Sequence, residues 1–391
     1  LKITTVEDLH CDAGWRVFSF LKISTDEGIV GYSEYNESYG SRGLSAVILA
    51  LAEDIKGRDP RPIEGITAEL YATTRQAPGG MIQQAIAAIE NALLDIKGKA
   101  LGVPVYALFG GPVRDRLRLY WSHCGTYRIH HADILGKPQL RSRDDLVALG
   151  CEVRESGMTG LKCNIYVPEN GGFRLHMPGF RSGPEMLQLN AEREVVDALR
   201  DQVQAIREGC GDGVDILVDL NFNFKTEGYL KVVRALEDLG LMWVEIDSFD
   251  PMALRDIRTR TNVPLASCES LFGRRGFKPY FEAHSVDVAI VDIPWNGLAE
   301  GVKIAAMAEA YEVNVAPHNF YGHLSTLMSA HFCATLPNFR IMEIDIDDVP
   351  WKDELVTVPP VIEDGHLVLP SGPGWGADIN EEAVRAYPPK R

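Results

Sequence analysis

Short runs rich in β-branched and aromatic residues open the chain, at residues 2–10, 17–24 and 29–35. Asp12, Ala13 and Gly14 part the first two runs, and Asp26, Glu27 and Gly28 the second pair. That pattern predicts three strands joined by turns. The apolar period then lengthens to that of a helix at 44–55, 63–75 and 81–99, the last closing just before Gly102 and Pro104. Three strands followed by three helices predict an α+β unit.

From residue 117 the rhythm changes. Short apolar runs at 117–123, 160–165, 216–220, 243–246, 265–268, 288–291, 313–316 and 341–344 alternate with helix-length segments such as 191–207, 229–239 and 299–311. Strands and helices in that alternation predict a barrel with parallel strands. The expected fold class is therefore α/β: a (β/α)7β TIM-type barrel with an α+β N-terminal capping domain. The expected division is 1–115 for the cap, 116–350 for the barrel, and 351–391 for a Pro- and Gly-rich segment returning to the cap. The interval 168–185 has no apolar period. It predicts a long loop on the catalytic face, with Arg174, His176 and Arg181 as its candidate substrate-facing charges.

Composition narrows the function. The chain has 391 residues, 55 acidic and 39 basic, for a net charge of −16. An acidic surface repels phosphate backbones, so nucleic acid is not an expected partner. The longest apolar run, 46–52, falls far short of the ~20 residues a membrane span needs, so no membrane partner is expected. The N-terminal stretch carries no basic segment followed by an apolar core, the mark of a secretory signal. Cysteines stand singly at 11, 124, 151, 163, 210, 268 and 333 without a CxxC pair. The expectation is reduced, buried thiols in a cytoplasmic protein.

Ligands and catalysts of such barrels sit at the C-terminal ends of the strands. Those ends carry Lys162 and Asn164 on the second strand, Asp219 and Asn221 on the third, then Glu245, Glu269, Asp292, His318 and Glu343 in turn. Asp219, Glu245 and Glu269 follow one another at 26 and 24 residues, one β/α unit each, so three carboxylates should converge at the barrel mouth. Converging carboxylates repel and raise one another's pKa unless a cation neutralises them, and hard oxygen donors suit Mg2+.

These residues, with the hinge Tyr106-Ala107-Leu108-Phe109-Gly110-Gly111 and the Pro- and Gly-rich tail, resemble the enolase superfamily and within it the mandelate racemase subgroup, over nearly the whole chain. The resemblance implies Asp219, Glu245 and Glu269 as ligands of one Mg2+, and His318 as the base, oriented by Asp292. It implies Lys162 as a second cation beside the substrate carboxylate, and Glu343 as a protonated acid that hydrogen-bonds the intermediate. Turns of the cap would supply specificity residues, among them Trp15, Arg16 and Tyr39. His123, at the end of the first barrel strand, is a further candidate contact, and Trp295 a candidate apolar wall. A symmetric homo-oligomer is also implied.

One departure directs the reading. Where racemases of this subgroup carry a second catalytic lysine, this chain has Asn164, and an amide cannot accept a proton. The expected function is Mg2+-dependent dehydration of a sugar acid, an aldonate or aldarate, to a 2-keto-3-deoxy acid. His318 could donate to the leaving hydroxyl as well as take the α-proton; Tyr166 or a residue of 168–185 are alternative acids. Asn164 and Asn221 are read as substrate or metal-shell contacts. A racemase, epimerase or cycloisomerase is the alternative, and a binding protein without catalysis the third reading.

Overall fold

The computed structural model describes residues 1–180 and 188–390. Strands β1 (Ile3–Asp12), β2 (Val17–Thr25) and β3 (Val30–Tyr35) form an antiparallel sheet in that order. Helices Leu44–Ala52, Ile63–Thr73 and Gly80–Leu101 follow. The third lies so close to β3 that a Cβ on Gly31 would stand 2.3 Å from the Ala92 carbonyl. Only glycine permits that approach.

The barrel begins with β4 (Arg116–Ser122) and β5 (Gly160–Cys163). A hairpin of β6 (Tyr166–Glu169) and β7 (Gly172–Leu175) comes next. The barrel resumes with β8 (Asp215–Asp219), β9 (Trp243–Glu245), β10 (Leu265–Ser267), β11 (Val288–Asp292), β12 (Asn314–His318) and β13 (Met342–Asp345). Neighbours run parallel from β4 to β12. Closure comes from β13, which pairs in parallel with β4, and from the segment before it, whose Arg340 N–H donates to the Val315 carbonyl of β12. The α/β barrel read from the alternation is thus present, under a three-stranded cap.

The segment 168–185 is not loop throughout. Asn170 (φ 49°) and Gly171 (φ 77°) are both left-handed, as a two-residue hairpin turn requires, and they join β6 to β7. Arg181 lies outside the described residues. In the tail, β14 (Val361–Glu363) and β15 (His366–Val368) form a hairpin whose second strand pairs antiparallel with β4. Trp375 is then fully buried against the cap, its indole N–H on the Tyr32 carbonyl at 2.8 Å and its backbone N–H on Asp95 at 3.0 Å.

Two buried glutamates tie cap to barrel. Glu34 of β3 accepts the N–H groups of Gly322 (2.6 Å) and Ser325 (2.9 Å), at the start of helix His323–Thr335. Glu90 accepts from Ala299 (2.8 Å) at the start of helix Leu298–Ala310, while Asn91 accepts from Leu298 (3.0 Å). Helix N-termini carry unpaired N–H groups and a partial positive charge, so a carboxylate there is well placed. These two helices follow the strands that end in Asp292 and His318.

Candidate active site

The barrel interior is plugged by a compact group including Tyr120, Leu217, Trp243, Ile290, Ala316 and Ile341. Side chains along a strand alternate faces, so the next inward position lies two residues on. Two residues beyond Leu217, Trp243, Ile290, Ala316 and Ile341 stand Asp219, Glu245, Asp292, His318 and Glu343. The polar mouth is therefore the next layer above an apolar plug. Glu269 is three residues past Ala266, and the left-handed backbone of Cys268 (φ 92°) interrupts the alternation between them. His123 and Asn221, just past β4 and β8, are also left-handed (φ 45° and 46°). Such strain is held where surrounding structure over-determines it, commonly at functional sites.

Lys162 Nζ sits among the acids, 2.9 Å from Glu245 Oε2, 3.0 Å from Glu343 Oε1 and 3.5 Å from Asp219 Oδ2. Burial opposes its charge, but Glu245, Glu343 and Asp219 outweigh burial and hold its pKa well above the usual lysine value. Lys162 is a fixed cation, not a base. Glu343 is buried too, yet Lys162, His318 and His123 hold its carboxyl well below the ordinary range. It accepts from Lys162, from Ser122 Oγ (2.5 Å) and from the Asn319 N–H (2.6 Å). Glu343 is thus an ionised acceptor, which corrects the expectation of a protonated donor.

Lys162 does not fully offset the burial of the other acids. Burial raises the pKa of Asp219, and raises that of Glu245 to about 8, with repulsion from Glu269 adding to both. Asp247, one inward position beyond Glu245, is pushed well above the carboxylate range by burial, then by Glu269, Asp219 and Glu245. Glu245 Oε1 and Asp247 Oδ2 are buried without a hydrogen-bond partner. Among the described residues, no group of three or more His, Cys, Asp or Glu side chains stands closed up as a ready metal cage. The donor chemistry nevertheless fits a hard dication: carboxylate oxygens only, mutually repelling, with orphaned acceptors.

His318 and Asp292 form the expected pair, Nδ1 to Oδ2 at 2.6 Å. Tyr321 donates to the same Asp292 oxygen (2.5 Å) and the Trp295 N–H to the other (2.7 Å), so the carboxylate is locked. The free ring nitrogen, Nε2, points to Glu269 Oε2 at 3.4 Å. Burial disfavours the imidazolium, but Glu269 and Asp292 more than compensate and lift the pKa to about 10. Trp295 and Phe320 flank the ring at 5.6 and 5.0 Å, an apolar wall on either side.

Around this centre the remaining candidates divide. Asn164 is buried, its carbonyl oxygen accepting from Thr126 (2.9 Å) and its NH2 donating to Asn221 Oδ1 (3.2 Å). Both amide groups are thus oriented by the protein, with one N–H of the NH2 left over. Tyr166 hands its hydroxyl proton to the Cys124 carbonyl (2.6 Å) inside the core, which removes it as an acid. Arg16 is buried and committed: it donates to Asp345, Asp348 and the Phe320 carbonyl. These bonds clamp the cap loop onto the mouth, while its Nε is buried without a hydrogen-bond partner. Trp15 stacks on Tyr127 (4.4 Å) and His131 (4.9 Å). Tyr39 is exposed, 5.8 Å from Phe320. Arg174 pairs with Glu169 across its hairpin (3.2 Å), and His176 packs on Phe224 (5.6 Å) while its carbonyl accepts from Asn223. His123 faces the mouth beside Phe320 (5.9 Å). Asp247, Tyr321 and Asp345 escaped the sequence reading; Asp247 and Asp345 follow Glu245 and Glu343 by two positions, the signal that strand alternation offered, whereas Tyr321 lies past the end of β12.

The family model described as “Enolase C-terminal domain-like” matches residues 147–383, more than half of the chain. “Mandelate racemase / muconate lactonizing enzyme, N-terminal domain” matches residues 13–110. The chain belongs to the enolase superfamily. Among its relatives, D-galactonate dehydratase of Xanthomonas campestris pv. campestris is 32% identical, over 98% of this chain and 94% of its own. D-xylonate dehydratase of Haloferax volcanii is 28% identical, over 99% and 89% respectively. A crystal structure named “putative L-alanine-DL-glutamate epimerase from Burkholderia xenovorans strain LB400” is 50% identical with TM-score 0.97, covering 100% of this chain and 99% of that one. The same protein has been solved bound to magnesium and fumarate. The seven cysteines are free thiols, six of them buried, and among the described residues no helix is long and apolar enough to cross a membrane.

Proposed function

We propose that this enolase-superfamily enzyme is a lyase that dehydrates a sugar acid, aldonate or aldarate, to a 2-keto-3-deoxy acid. The observation that carries the reading is the asymmetry of the mouth. His318 is oriented by Asp292 and is free to act as base once a cation takes up the Glu269 charge that holds its proton, while the position of a second base is Asn164, an amide bonded to Thr126 and Asn221 that cannot accept a proton. The dehydratase relatives support it.

Asp219, Glu245 and Glu269 would hold Mg2+, the cation found in the Burkholderia neighbour. When bound, it supplies positive charge against the oxygens of the substrate carboxylate as the α-proton leaves. This chain's own residues do the rest. Lys162, kept charged by its three acid partners, attracts the substrate carboxylate. His318 Nε2 takes the α-proton, and Asp292 favours the imidazolium that results. Trp295 and Phe320 keep water from the reacting carbon. Loss of the β-hydroxyl and tautomerisation then give the keto acid.

The epimerase name of the 50%-identical neighbour favours a second reading, isomerisation through the same α-proton removal. A panel of aldonates and aldarates, with D-galactonate and D-xylonate among them, separates the two when incubated with Mg2+ in D2O. Dehydration is expected to give a product that reacts with semicarbazide. Deuterium at the α-carbon without any keto acid would replace the lyase by an isomerase.

A further inference from the structure

The mouth holds a second histidine–carboxylate pair. His123 Nδ1 lies 3.0 Å from Asp345 Oδ1 and 3.1 Å from Ser122 Oγ. Ser122 gives its own proton to Glu343, so its oxygen accepts and Nδ1 must be the donor. The orientation of the ring is thereby fixed, and its proton-exchanging nitrogen is Nε2, for which no partner stands among the described residues. Asp345 is itself anchored: its other oxygen accepts from Arg16 (3.2 Å) and from Tyr127 OH (3.1 Å). The His123 ring stacks on Tyr127 at 5.0 Å. A left-handed backbone at His123 aims a side chain that regular continuation of β4 would not deliver there.

Both pairs serve the same space. Phe320 contacts His318 on one side and His123 on the other. His123 also lies near enough to Asp219 and Glu343 to favour their charged forms. Each imidazole is thus backed through Nδ1 by a buried aspartate that is held by further donors, and both rings lie against Phe320. Asp345 fixes Nδ1 as the donor, so any proton His123 exchanges with a substrate passes through Nε2.

The geometry points to His123, backed by Asp345, as the general acid that protonates the departing β-hydroxyl. This assignment rests on the dehydration reading above. The Nε2 proton passes to the hydroxyl oxygen and the Cβ–O bond breaks, its electron pair leaving on the oxygen as water. The electron pair left at the α-carbon by proton removal becomes the Cα–Cβ double bond. His123 ends neutral, with its remaining proton on Nδ1 toward Asp345, and regains the other from solvent. His318 then needs to act only as base, which relieves it of the double duty that the sequence left open.

The test is how the deprotonated substrate partitions in D2O with Mg2+, using a sugar acid that the wild-type enzyme dehydrates. In His123→Asn, keto-acid formation is expected to fall at least ~10²-fold. His318 continues to remove and return the α-proton, so recovered sugar acid gains deuterium with its configuration retained. Asp345→Asn, which keeps a hydrogen-bond acceptor but removes the charge, is expected to show the same split with a smaller loss. This variant, checked by its unfolding midpoint, guards against misfolding as the cause. Keto-acid formation at the wild-type rate in folded His123→Asn would overturn the assignment. So would loss of dehydration and α-exchange together in both variants. Should wild-type enzyme exchange the α-proton yet dehydrate nothing, the dehydration reading itself falls, and this assignment with it.

Discussion

Two sets of buried carboxylates occupy neighbouring parts of this molecule. At the seam between cap and barrel stand Glu34 and Glu90; at the mouth stand Asp219, Glu245 and Asp247. Burial lifts the pKa in both places, Glu34 to about 7, Glu90 to about 8 and Glu245 to about 8. A perturbed carboxylate therefore does not by itself mark the site. The partners do. Seam acids accept backbone N–H groups of helix starts, and flanking glycines leave no room for anything else: a Cβ on Gly297 would lie 2.3 Å from Glu90, and on Gly322 2.8 Å from Glu34. Mouth acids face one another, with oxygens left over. Satisfied acids hold the molecule together; mutually opposed acids with unpaired oxygens are the donor set expected of a cation site.

Breaking the mouth should show first in chemistry. His318→Asn removes the imidazole paired with Asp292, and α-proton exchange in D2O is expected to drop by about 10²–10⁴-fold. The melting midpoint should stay close to that of the wild type, since Asn still offers an amide to Asp292.

Breaking the seam should show in stability. Glu34→Ala strands the N–H groups of Gly322 and Ser325, a loss of about 1–3 kcal/mol, measured by urea denaturation. Asp247→Asn, equally buried, removes a like charge from the mouth and is expected to leave the urea midpoint unchanged or raised. Equal destabilisation by the two substitutions would erase the distinction drawn between them.

A pH series sharpens the same contrast. Glu34 and Glu90 have folded pKa values of about 7 and about 8, above the ordinary 4.5, so the folded chain binds their protons more tightly than the unfolded chain. Their contribution is complete below the unfolded value and is lost as pH rises through 7 and then 8. Wild-type urea midpoints should decline over that window, and a Glu34→Gln, Glu90→Gln double variant should decline less. At the small end, Arg193→Ala breaks only the exposed pair with Asp197, and should change stability by less than ~0.5 kcal/mol.

Much of this was legible in the chain. The eight barrel strands could be read because their apolar runs are short, regular and separated by helix-length segments. Asp219, Glu245, Asp292, His318 and Glu343 could be placed because unit spacing fixes which residue ends each strand. The β6–β7 hairpin was missed for want of an apolar period, although Asn170-Gly171 marked its turn. Asp247 and Asp345 were missed because strand ends were read one residue deep, whereas two inward positions on β13 and past β9 reach the mouth. Arg16 and Glu343 show a different limit. Their partners lie elsewhere in the chain, Asp345 and Asp348 for one and Lys162 for the other, so only the folded structure shows the arginine's ion pairs and the cation beside the glutamate.

The mouth acids are expected to hold the dication that the reaction uses. Calorimetric titration of Mg2+ into wild type, Glu245→Gln and Glu34→Gln tests it most directly. One site per chain is expected for wild type and for Glu34→Gln, with that site lost or at least ~10-fold weaker in Glu245→Gln. Equal Mg2+ affinity in all three proteins, or none in the wild type, would contradict the account.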